Sequence, residues 1–257
     1  MSDFFRFKKF LIYQWKAKTK YYLHSPFVYQ FYINVLEGKK DENLRSIDLL
    51  RRQLKSDHSF VAAQDFGTGV ASSRKISDLE GHVAVRKKYG EMLYRLVKYF
   101  QPKTIVEIGT SIGISTGYLA LANPSAKIVT LEGSSTLIYI AEQNFSKLGI
   151  NNIETVCGNF GDTLPNIIQG IYKLDMVLFD GNHTKEATLR YFKECLPKTH
   201  ENSIFIFDDI YWNSDMNEAW EEIKANTEIS LTIDVFQYGI CFFTKGKLAK
   251  ENFILRY

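Results

Sequence analysis

Cysteine and proline are scarce in this chain, at three and five of 257 residues. Cys157, Cys195 and Cys241 lie far apart with no CxxC spacing, which excludes a disulfide framework and a zinc-ribbon type of metal site as the organising principle. Each sits in an apolar run and is expected to be reduced and buried. No stretch reaches the roughly 18 consecutive apolar residues of a membrane span, so no transmembrane segment is expected. The N-terminus has neither the unbroken apolar stretch nor the small-residue cleavage site of a signal peptide, and the expected location is cytoplasmic. A net charge of +3 is too slight to demand a polyanionic partner, and no nucleic acid is expected.

What is present is enough apolar material for one sizeable core or a core with an appendage, since 45% of the residues are hydrophobic. Residues 1 to about 60 differ in character from the rest. Phe4, Phe5, Phe7, Phe10, Tyr13, Trp15, Tyr21 and Tyr22 interleave with Arg6, Lys8, Lys9, Lys16, Lys18 and Lys20. The spacing predicts short helices broken near His24-Ser25-Pro26, because proline pushes the preceding residue out of the helical region. Such a segment can pack on the core through its aromatic face or lie on a membrane surface. From Asp65 to Val83, Asp65-Phe66-Gly67-Thr68-Gly69 and Ser72-Ser73-Arg74 read as a loop and a candidate lid. Residues 1–84 are therefore taken as a helical N-terminal extension and loop, and residues 85–257 as the main domain.

An amphipathic helix over Lys87 to Phe100, closed by Pro102, leads into a regular alternation. Strands are expected at Thr104–Ile108, Lys127–Leu131, Ile153–Val156, Leu174–Phe179, Ser203–Phe207, Leu231–Phe236 and Ile240–Thr244, with helices between most of them. Short apolar strands alternating with helices imply an α/β, Rossmann-like, doubly wound and mainly parallel seven-stranded sheet. The last two runs meet at Gln237-Tyr238-Gly239, which predicts a C-terminal antiparallel hairpin at the sheet edge.

The first of these strands runs into Gly109-Thr110-Ser111-Ile112-Gly113-Ile114-Ser115, a glycine turn that opens a helix. Glycines there let a ligand approach backbone amides at a helix N-terminus. The second strand ends in Glu132-Gly133, where an acid can accept the hydroxyl protons of a ribose. The third ends before Asn159-Phe160, an amide and a ring able to border an adenine. Asp65-Phe66-Gly67-Thr68-Gly69 also looks like a glycine loop, but no βαβ pattern surrounds it. Leu174 to His183 is a strand whose tip carries Asp180 and, three residues on, His183; Ile204 to Asp209 ends in Asp208-Asp209. Three carboxylates of this kind are hard oxygen ligands suited to Mg, Ca or Mn. Tyr211 and Trp212 follow and can wall an aromatic acceptor or serve as ordinary packing.

Taken together, Glu107 to Gly113, Glu132, Asn159-Phe160, Asp180 to His183 and Asp208-Asp209 resemble the class I S-adenosylmethionine-dependent methyltransferases, most of all the catechol-type O-methyltransferases and their bacterial relatives. The resemblance runs from about Lys87 to the C-terminus. It implies S-adenosylmethionine as cofactor, bound by Glu107, Gly109, Thr110, Ser111, Gly113, Ser115, Glu132, Gly133, Asn159, Phe160 and Asp180. It implies a small-molecule hydroxyl acceptor, a divalent cation (Mg) on Asp180, Asp208 and Asp209, and Asp180 and His183 as catalytic groups. The departures are definite. His183 stands where the family has a lysine base, Asp208-Asp209 where it has Asp-Asn, and His200-Glu201-Asn202-Ser203 where it has a glycine pair. A histidine can still accept a proton at neutral pH.

Other readings stay open on the sequence. An NAD-dependent oxidoreductase would use the same acid on its ribose, but Gly109 to Gly113 lacks the full GxGxxG pattern. A non-catalytic Rossmann module could act through the basic-aromatic N-terminus. Nucleic-acid methylation is disfavoured by the absence of an Asn/Asp-Pro-Pro-Tyr type tetrapeptide and of a dense basic stripe. Nothing in the sequence opposes a homodimer.

Overall fold

The computed structural model describes residues 2–64, 71–243 and 249–257. Helices are α1 (Ser2–Lys16), α2 (Pro26–Phe31), α3 (Leu44–Lys55), α4 (Ile76–Asp78), α5 (Lys87–Phe100), α6 (Ile114–Ala122), α7 (Ser135–Leu148), α8 (Phe160–Gly170), α9 (Lys185–Cys195) and α10 (Ser214–Ala225). Strands are β1 (Phe60–Gln64), β2 (Ala71–Lys75), β3 (Thr104–Ile108), β4 (Lys127–Glu132), β5 (Ile153–Cys157), β6 (Met176–Phe179), β7 (Ile204–Asp208), β8 (Leu231–Asp234), β9 (Tyr238–Phe242) and β10 (Glu251–Ile254). The fold is α/β and mainly parallel. The chain forms two compact units, residues 34–166 and residues 1–33 with 167–257.

In the unit of residues 34–166, β3, β4 and β5 run parallel, with Ile105 opposite Ile128 and Ile128 opposite Ile153. Strand β3 is buried at four of its five positions, as a strand covered on both faces must be, and its sequence is correspondingly apolar. Helix α5 spans the range its periodicity predicts and buries Met92, Leu93, Leu96 and Val97. It stops at Gln101, which turns left-handed one residue before Pro102.

The same unit corrects the reading of residues 71–83 as loop. Residues 71–75 form β2, antiparallel to β1, and 76–83 continue as helical turns. Ile76, Leu79 and Glu80 are buried there, and Arg51 of α3 holds the Glu80 carboxylate at 2.8 Å. A buried carboxylate requires such a partner. Residues 65–70, with the second glycine motif, lie outside the described residues.

In the other unit the strands follow the order β10-β8-β9-β7-β6. Strand β6 is parallel to β7, β9 is antiparallel to both β7 and β8, and β10 is parallel to β8. The expected hairpin forms, but β10 lies beyond it, so the hairpin is not the edge and the strands from β3 to β10 number eight rather than seven. The expected strand end at Thr244 lies outside the described residues.

Helix α1 is tied to this sheet by backbone. Lys18 bridges to Leu255, its N–H donating to the Ile254 carbonyl at 2.8 Å while the Arg256 N–H donates to the Lys18 carbonyl at 2.9 Å. The Tyr13 hydroxyl donates to the Leu255 carbonyl (2.6 Å) and accepts the Tyr257 N–H (3.0 Å). The aromatic content of α1 divides between two faces. Tyr13 is buried and packs with Phe10 on Phe236, whereas Phe4, Phe7, Leu11 and Trp15 are exposed. Among the described residues no helix is long and apolar enough to cross a membrane. Cys195 and Cys241 are buried as expected; Cys157, at the end of β5, is exposed.

Candidate active site

Two clusters of the anticipated residues form, each within one unit. The first gathers around the turn after β3. Gly109 and Gly113 adopt φ of +106° and +80°, which an L side chain resists. A Cβ on Gly113 would also stand 2.5 Å from the Phe145 ring. Asn144, buried in α7, donates to the Ile112 carbonyl at 2.9 Å and pins the turn from behind.

At the tip of β4, the two carboxylate oxygens of Glu132 accept the Ser111 N–H (2.8 Å) and the Ser134 N–H (3.0 Å). Its carboxylate is thus fixed beside the glycine turn at the start of α6, the geometry in which a strand-end acid meets a bound nucleoside. Ser134 also caps α7 by accepting the Leu137 N–H.

Glu107 is wholly buried. One of its oxygens, Oε2, accepts the hydroxyls of Thr116 (2.5 Å) and Thr130 (2.6 Å), and Thr130 is in turn 2.6 Å from the Thr110 hydroxyl. The other, Oε1, has no hydrogen-bond partner among the described residues, nor does the buried Ser111 hydroxyl. Burial pushes the Glu107 carboxyl up to about 7, against the opposing pull of hydrogen bonds from Thr116, Thr130 and Ser115. A buried carboxyl oxygen left without a partner carries a desolvation cost. Asn159 is exposed and uses its side-chain oxygen to accept the Gly161 N–H at the start of α8, and Phe160 is half-buried. Ser115 is buried in the first turn of α6.

The second cluster lies at the ends of β6 and β7. Asp208 is buried; burial and the adjacent Asp209 charge push its carboxyl up to about 6, although a hydrogen bond with Asp180 opposes them. His183 Nε2 is 3.7 Å from Asp180 Oδ1. Asn182 and Asp209, each just past a strand end, hold left-handed backbone at φ of +51° and +52°, a conformation Asn and Asp tolerate better than most residues. Two residues that the sequence did not place in the site complete this cluster. Gln237 Nε2 donates to Asp208 Oδ1 (2.6 Å) and Asp209 Oδ1 (2.8 Å), and Arg6 Nη2 donates to Asp209 Oδ1 (3.2 Å) and Gln237 Oε1 (3.1 Å). The Arg6 guanidinium also lies over the Trp212 ring at 5.2 Å. Among the described residues no group of three or more His, Cys, Asp or Glu side chains is disposed to hold a metal ion.

Comparison with known proteins agrees with this geometry. Residues 106–210 match the family model of a methyltransferase domain. A catechol O-methyltransferase of Mycobacterium tuberculosis is 30% identical over 130 residues, 50% of this chain and 57% of the relative. One of Niastella koreensis is 27% identical over 131 residues, 50% of this chain and 58% of the relative. The chain thus spans a little over half the length of these curated relatives. In fold it is similar to the O-methyltransferase from Bacillus cereus solved in complex with SAH, at a TM-score of 0.58 and 22% identity over 85% of this chain and 97% of that one. A Streptomyces achromogenes O-methyltransferase in complex with SAM gives a TM-score of 0.58 at 19% identity over 83% and 94%. Residues 106–210 are thus similar to a methyltransferase domain, and about half of the chain is similar in sequence to catechol O-methyltransferases.

Proposed function

We propose that this protein transfers a methyl group from S-adenosylmethionine to a hydroxyl oxygen of a small molecule. The observation that carries the reading is the pairing of Glu132, held on both oxygens by backbone amides, with the glycine turn at the N-terminus of α6. The residues fit the cofactor. Glu132 suits its ribose hydroxyls, Asn159 and Phe160 its adenine, and the unsatisfied Oε1 of Glu107 its cationic methionine end. Gly109, Thr110, Ser111, Gly113, Ser115 and Gly133 shape the surrounding backbone. The residues assigned to the cofactor and to proton removal all lie within residues 85–257.

When bound, S-adenosylmethionine supplies an electrophilic methyl on a positively charged sulfur. The chain's own part is to orient an acceptor and remove its proton. His183 is the base in this reading: its Nε2, 3.7 Å from Asp180 Oδ1, takes the hydroxyl proton. The bound cofactor would give up its methyl to the acceptor oxygen, the electron pair of the broken S–C bond staying on sulfur. Asp180, Asp208 and Asp209 do not fit a divalent cation as they stand. Oδ1 of Asp208 already accepts the Gln237 amide, and Oδ1 of Asp209 accepts that amide and the Arg6 guanidinium, so no step is assigned to a metal.

Calorimetric titration with S-adenosylmethionine tests the proposal. One site per chain is expected, with affinity weakened roughly tenfold or more in Glu132→Ala, the loss of two charge-assisted hydrogen bonds. Absence of binding by the folded wild-type protein would overturn the reading.

A further inference from the structure

The acid cluster at the ends of β6 and β7 is occupied from within the chain. Asp209 Oδ1 receives two donors, Arg6 Nη2 at 3.2 Å and Gln237 Nε2 at 2.8 Å. Asp208 Oδ1 receives two more, Gln237 Nε2 at 2.6 Å and the Asp209 N–H at 2.7 Å. The Gln237 amide has one permitted orientation, because its nitrogen faces both carboxylates and its oxygen faces the guanidinium. Turning it over would set oxygen against carboxylate and NH2 against Arg6. Divalent magnesium or calcium requires about six oxygen ligands at roughly 2.0–2.6 Å. Here N–H groups already stand at Oδ1 of both Asp208 and Asp209.

Arg6 is held in place independently of the acids. Its guanidinium lies over the Trp212 ring, at 25% side-chain exposure against 16% for Asp209. Helix α1 is fixed farther along by the Tyr13 hydrogen bonds and the Lys18 bridge. Lys9, one turn on, places a second cation 5.6 Å over the Tyr211 ring, and burial lowers its pKa. Arginine suits this role because its charge is permanent and its planar fork serves two acceptors at once.

We propose that Arg6 is a built-in cation of the Asp208–Asp209 cluster, and that with Gln237 it closes the cluster to divalent metal. The charge a metal would bring to the Asp208–Asp209 cluster is supplied by the N-terminal helix, which makes α1 part of that cluster rather than an appendage. The idea rests on the methyltransfer reading for what the cluster serves, but its test does not need an acceptor or a cofactor.

The test is titration with Mn2+, read by the electron paramagnetic resonance signal of the free ion, on wild type, Arg6→Ala and Arg6→Lys. Wild type and Arg6→Lys are expected to leave the free-ion signal undiminished across the micromolar range. Arg6→Ala is expected to take up about one ion per chain, with affinity at least roughly tenfold above wild type, the scale on which groups around a site tune its metal affinity, and Mg2+ should displace it. Should Arg6→Ala fail to fold by circular dichroism, Arg6→Gln retains most of the stem over Trp212 without the charge and must show the same gain. Stoichiometric Mn2+ binding by wild type, or no gain in a folded charge-removing variant, would overturn the proposal. Calorimetry with S-adenosylmethionine on the same samples reports separately on the methyltransfer reading, so loss of one idea leaves the other standing.

Discussion

Glu107 governs how this protein should respond to pH. Its carboxyl, ordinarily near 4.5, is raised to about 7 by burial. The native chain therefore keeps a proton that the unfolded chain has released. The stability this represents is fully present below about 4.5 and is lost as pH rises through 7, at a cost of roughly 3 kcal/mol. A cationic ligand group at Oε1 reverses the preference, because it pairs with the ionised form. S-adenosylmethionine binding should accordingly tighten from pH 6 to pH 8 and release a proton, detectable as an enthalpy that varies with the ionisation heat of the buffer. In Glu107→Gln both effects should vanish; a pH-independent affinity in wild type would refute the assignment. Asp234 is also raised to about 6 by burial, so the stability comparison must set Glu107→Gln against wild type rather than read either curve alone. Much of this first cluster was legible in the sequence, since a glycine turn after an apolar strand and an acid at the next strand end are local patterns. Thr130 carried a fainter signal, as a polar residue at a buried position of an otherwise apolar strand. Arg6 carried none: it lies 203 residues from Asp209, and no periodicity or spacing spans such a separation.

Helix α1 is the element whose role the sequence left most open. Its aromatic residues alone do not say which face is covered, and the answer comes from the far end of the chain. Tyr13 is 2% exposed, with its hydroxyl set between the Leu255 carbonyl and the Tyr257 N–H. Tyr13→Phe keeps the ring packing on Phe236 and removes only these two bonds, which should cost about 1–3 kcal/mol of stability. Hydrogen exchange should show the loss as faster exchange confined to α1 and residues 251–257, and unchanged protection there would contradict the anchoring described above. The strands divide by the same logic. Strands β3, β4, β6 and β7 were legible to within a residue or two because strands buried on both faces are rich in apolar residues. Strand β10 reads Glu-Asn-Phe-Ile and β2 reads Ala-Ser-Ser-Arg-Lys. Neither alternates in hydropathy, and each exists through its pairing with β8 or β1, a long-range or hairpin contact that composition does not encode.

At the scale of the whole chain, the partition into residues 34–166 and residues 1–33 with 167–257 means that both termini build one unit. A division of the sequence by composition gathers the N-terminal residues into an extension. The packing assigns residues 1–33 a share of the core. Val28 and Phe31 are fully buried, and the rings of Phe27 and Phe31 meet Phe242 of β9 at 5.1 and 6.0 Å. Phe10 and Tyr13 meet Phe236 at 5.1 and 5.3 Å. Emptying a single buried aromatic site costs about 3–5 kcal/mol, and a domain's net stability is only about 5–15 kcal/mol. Tyr13, Phe31 and Tyr32 are buried sites of this kind, and losing them together exceeds what residues 167–257 can absorb. A chain truncated to residues 34–257 should therefore be insoluble, or compact without a cooperative thermal transition, and should lose the near-ultraviolet circular dichroism of its packed aromatics. A soluble truncated protein that melts cooperatively near the wild-type temperature would show instead that α1 and α2 are dispensable to the fold. That outcome would also limit the meaning of Arg6, since a helix that contributes nothing to folding could hold a cation over Asp209 only through the local contacts with Trp212 and Gln237.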